Sequence, residues 1–106
     1  HQEALRTGMK VVAKTILQAT PEQQKQLEEL WDRTPRSLAE IIERQRQTDR
    51  ILTPEQRARL APLRRRFQNR IIDEMLEPAR DRFPSEDFEK FRDEVKKRVE
   101  ERITAP

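Results

Sequence analysis

Cysteine and tyrosine are missing from these 106 residues, and glycine, histidine and tryptophan each occur once, at Gly8, His1 and Trp31. Without cysteine there is no disulfide and no thiolate metal site, although this leaves the cellular compartment open. With the one histidine at the first position, a metal centre would rest on carboxylates and methionine, and none is expected. Met9 and Met75 fall at apolar positions of helical stripes and read as core filler. Acid–base chemistry would be left to carboxylates alone, with no Gly-rich phosphate loop beside them, so neither an enzyme nor a cofactor is expected. Nor does any run approach the roughly 20 apolar residues of a membrane-spanning helix.

What fills the chain instead is charge. Asp, Glu, Lys and Arg make up 41% of the residues against 33% hydrophobic, with a formal net charge of +3. A thick core is hard to build from that balance, whereas thin helical layers suit it.

Proline and threonine mark where the helices begin. Thr20-Pro21-Glu22-Gln23 recurs as Thr53-Pro54-Glu55-Gln56, with leucines at matching offsets, Leu27 and Leu30, then Leu60 and Leu63. A capping Thr, a Pro suited to the first helical position and a Gln three residues after the Thr spell a capping box, here duplicated. Ahead of the first tetrad, Leu5, Met9, Val12 and Ile16 set one stripe of a helix over about residues 3–18, weakened at Gly8. Thr34-Pro35 reads as a third start, with Ser37 where a box wants Glu or Gln, and Leu38, Ile41, Ile42 and Gln45 continue the stripe. After the second tetrad, Leu60, Leu63, Phe67, Ile71 and Met75 outline a seam. Pro62 predicts a kink or break near 58–62, and Pro78 an end or bend. Following Phe83-Pro84, Ser85 is expected to cap a last helix with Phe88, Phe91, Val95, Val99 and Ile103 inside, acids at its start and bases toward its end. Trp31 reads as the cap of the core above Leu27 and Leu30.

The context Leu52-Thr53-Pro54-Glu55-Gln56 resembles the Leu-Thr-x-x-Gln signature of the Spy and CpxP family of periplasmic stress proteins. That group also includes zinc-resistance-associated proteins and periplasmic heavy-metal sensors. Leu52, Thr53 and Gln56 fit the signature; the first copy keeps Thr20 and Gln23 but has Ala19 in place of Leu. The resemblance covers mainly residues 19–60. It implies a thin, curved helical dimer in the periplasm that holds unfolding protein clients without ATP, or passes a stress signal to a membrane-bound sensor partner, with an export signal expected upstream of His1. The metal response of some relatives finds no ligands here.

A surface for such contacts would combine apolar side chains with charge, and Leu60, Leu63, Phe67 and Ile71 flanked by Arg64, Arg66 and Arg70 offer that combination. Arg57, Arg59, Arg64, Arg65, Arg66 and Arg70 lie in a stretch without a single acid. They spread around the helix rather than forming one basic face, and Arg70 is placed to pair with Glu74, which argues against nucleic acid. The sequence thus predicts an all-α protein of four to five helices, elongated and partly antiparallel, with Pro-marked helix starts. Residues 1–106 form a single domain whose one candidate division falls near 78–85. Its narrow apolar stripes are expected to be completed in a homodimer. A helical scaffold segment of a larger membrane-associated complex is the alternative reading, and a small basic nucleic-acid binder the third.

Overall fold

The computed structural model describes residues 8–105, and the expectation at Leu5 lies outside them. Among the described residues the chain is all-α. A helical segment from Gly8 runs into a π turn, Val12–Ile16, followed by α1 (Pro21–Trp31), α2 (Leu38–Ile51), α3 (Pro54–Leu76), a 3₁₀ segment (Glu77–Arg82) and α4 (Ser85–Thr104). The molecule measures 48 × 32 × 19 Å, and its least dimension is about two helix diameters. No helix among the described residues is long and apolar enough to cross a membrane.

Both tetrads start helices as their chemistry predicts. Thr20 and Thr53 are extended, accept from the backbone N–H of Gln23 and Gln56, and stand one residue before a Pro at the first helical position. The other two starts differ from expectation. Thr34-Pro35 does not open α2; Ser37 caps it, its hydroxyl accepting from Glu40 N at 3.1 Å, while the Glu40 carboxylate reaches back to the Arg36 N–H. The Ser-x-x-Glu pattern beginning at Ser37 was therefore the stronger cap signal. In α4, Ser85 does not cap but is the first helical residue; Pro84 occupies the cap and its carbonyl accepts from Phe88 N at 2.9 Å.

The first stripe is displaced. Leu17 N donates to Val12 O and Ala19 N to Ala13 O, both at 3.0 Å, and Gln18 takes a left-handed φ of 50°. A π turn winds more residues per turn than an α-helix, so the buried positions become Ala13 and Leu17, while Ile16 is 40% exposed. Gly8 meets nothing that requires its missing side chain.

α3 continues through Pro62, which corrects the break that Pro62 was expected to allow near 58–62. Pro62 is exposed, and the helix is held on both sides of it by the Gln56 cap and by buried Leu60 and Ile72. Helical structure changes only beyond Leu76, where Pro78 lies in the 3₁₀ segment.

Two apolar clusters result. Ala13, Leu17, Ala19, Leu27, Leu52 and Leu60 form the first, with Val12, Trp31, Ile51 and Leu63 against it. Ile41, Ile72, Val99 and Ile103 form the second, joined by Leu38, Ile42, Ile71, Met75, Leu76 and Val95. The α3–α4 pair is antiparallel, since Arg64 meets Glu100 while Asp73 meets Lys96 and Arg92.

Candidate functional site

The duplicated motif turns out to be one site. Gln23 Nε2 donates to Gln56 Oε1 at 2.9 Å and Gln56 Nε2 donates to Gln23 Oε1 at 3.1 Å, a reciprocal amide pair joining residues 33 positions apart. Each oxygen also accepts from the backbone N–H of its own Thr, at 2.9 Å from Thr20 and 2.9 Å from Thr53. The remaining amide hydrogens go to main-chain carbonyls, Gln23 to Ile51 at 3.0 Å and Gln56 to Leu17 at 3.1 Å. A primary amide offers two donors and two acceptor lone pairs, so both side chains are fully used. Leu52 and Ala19 are both buried in the first cluster beside them. The residues that the signature places at caps thus also clamp α1, α3 and the chain entering each helix.

The α3 surface separates into two parts. Leu60 is 6% exposed and belongs to the first core, which removes it from any accessible patch. Arg64 has a side chain only 11% exposed and grips Glu100 with two bonds of 2.7 Å. Gln68 joins them, accepting from Arg64 at 3.2 Å and donating to Glu100 at 3.3 Å, and Arg65 Nε lies 3.6 Å from the same carboxylate. The Arg64 hydrogen bonds hold the Glu100 carboxyl below the usual carboxylate range, against an opposing push from burial, and Arg64 is raised in turn by the same bonds. What stays at the surface is exposed Arg66 and Arg70 with half-buried Leu63, Phe67 and Ile71; Arg70 pairs with Glu74 at 3.8 Å, as the spacing predicts.

A second apolar surface was not anticipated. Phe83 and Phe91 stack with ring centroids 5.3 Å apart and planes 17° from parallel, and each is 39% exposed. Phe91 was expected inside; it lies instead at the margin of the buried face, outside Phe88, which is 1% exposed. The Arg80 guanidinium sits 4.7 Å from the Phe88 ring centroid and is fixed by Glu77 at 2.8 Å. Three of the chain's four phenylalanines therefore converge at the α3–α4 end, a grouping visible in the sequence as Phe83, Phe88 and Phe91 lying within nine residues.

Trp31 caps the first core and donates from Nε1 to buried Thr48 Oγ1 at 3.1 Å, a polar anchor absent from the apolar pattern. Burial lowers the Arg44 pKa. No group of three or more potential metal-binding His, Cys, Asp or Glu side chains occurs among the described residues.

No family model, curated protein or solved structure matches the chain.

Proposed function

We propose that the chain is a noncatalytic protein-binding protein of the Spy and CpxP type. In this reading it works in the periplasm as a homodimer, acting as an ATP-independent chaperone or as an adaptor for a membrane-bound sensor. The observation that carries the reading is the meeting of the two tetrads: Gln23 and Gln56 exchange hydrogen bonds, so the duplicated signature serves one purpose.

The surface suits the role. Phe83 and Phe91, together with Leu63, Phe67 and Ile71 beside Arg66 and Arg70, offer apolar contact interleaved with charge. Charge speeds encounter with clients, and small apolar patches hold them loosely. The accessible surface of 7795 Å² is about a quarter above the roughly 6,300 Å² of a compact monomer of this mass, leaving area for a partner.

The test is suppression of aggregation of a chemically unfolded client by stoichiometric amounts of purified protein without ATP. Light scattering should fall in proportion to added protein. Unchanged scattering at equimolar protein would discard the chaperone form of the reading.

A further inference from the structure

The segment leading into α1 sits in a groove as a ligand would. Ala13 and Leu17 belong to one buried cluster with Leu27, Leu52 and Leu60, 3% and 1% exposed beside a fully buried Leu27. Charge follows the same division. A hollow of about 480 Å³ has Lys10 and Lys14 on the arm's side and Glu28, Glu29 and Asp32 on the α1 side. The arm is therefore seated on the core through Ala13 and Leu17 and faces α1 across the hollow with charge of opposite sign.

Its connection is less well matched. Only Gln18 and Ala19 separate Leu17 from the Thr20 cap, and Gln18 holds φ at 50°, where a side-chain-bearing residue is disfavoured. Before it, the arm is wound as a π turn rather than a regular helix. An arm held by core contacts and joined by a short, strained hinge invites exchange between two copies, because the arm's contacts can be remade in the partner while the hinge opens.

We propose that the partner seated in this groove is the arm of a second copy of the chain. The dimer of the preceding reading is then an exchanged one, hinged at Gln18. This inference rests on that dimer, but its failure is separable from it.

The absence of cysteine allows a direct test. Lys14→Cys and Glu28→Cys, introduced together and bridged by a short bis-maleimide, join two chains if the arms are exchanged and one chain if they are not; a denaturing gel tells which. Light scattering should give twice the chain mass. Gln18→Gly removes the strain of the closed hinge and, with two hinges in each dimer, should weaken dimerisation about a hundredfold. A dimer bridged only within chains overturns the exchange while leaving the dimer standing, and a monomer bridged within the chain overturns both. An unbridged pair, or a dimer indifferent to Gln18→Gly, also defeats the proposal.

Discussion

At the scale of single residues, the glutamines carry more than their class suggests. Gln56 is 9% exposed and its amide has no bonding position to spare. Gln56→Leu keeps the Thr53 cap on the backbone N–H of residue 56 but removes the side-chain half of the capping box, stranding the Thr53 N–H, the Leu17 carbonyl and the Gln23 amide together, at a cost of about 2–4 kcal/mol in urea unfolding. A double-mutant cycle of Gln23→Ala with Gln56→Ala should give a coupling of about 1–2 kcal/mol; additivity within about 0.3 kcal/mol would mean that the amide pair adds nothing beyond its two separate caps. The threonine, proline and glutamine of each tetrad were legible because a cap is local chemistry. The pairing was not, because nothing within either tetrad says that its amide meets one 33 residues away.

At the scale of elements, α3 shows why an apolar pattern is an incomplete guide. Its innermost row is Gln56, Leu60, Arg64, Gln68 and Ile72 at four-residue spacing, all buried but the largely covered Arg64, so three of its five members are polar. The sequence stripe of Leu60, Leu63, Phe67, Ile71 and Met75 counted only hydrophobes and therefore placed Ile71, rather than Ile72, at the seam. Arg64 and Gln68 can occupy that row because Glu100, from the neighbouring helix, satisfies both. This link is sensitive to acid. The folded-state pKa of Glu100 is depressed, so its contribution is complete above the ordinary carboxylate value of about 4.3 and is lost as pH falls through the lower folded value. Urea unfolding from pH 7 down to pH 3 should show stability falling, with Glu100→Gln reducing the slope and costing about 1–3 kcal/mol at pH 7. An unchanged slope in that variant would assign the acid response to other carboxylates.

At the scale of the whole molecule, the all-α class and the limited core followed from composition, and the antiparallel α3–α4 pair fits the same expectation. The exposed phenylalanine stack escaped the sequence reading because Phe91 obeys the helical period of Val95 and Val99; only the Phe83 ring beside it marks that side as an end of the buried face. The 19 Å thickness carries a further consequence. In a plate two helices deep nearly every side chain is close to solvent already, so unfolding newly hydrates little hydrocarbon. Differential scanning calorimetry should accordingly give a heat-capacity increment below the usual 12–15 cal/mol/K per residue, and a value within that range would contradict so shallow an interior. A small increment flattens the dependence of stability on temperature: such a protein loses little of its modest margin on cooling and gives it up gradually on warming.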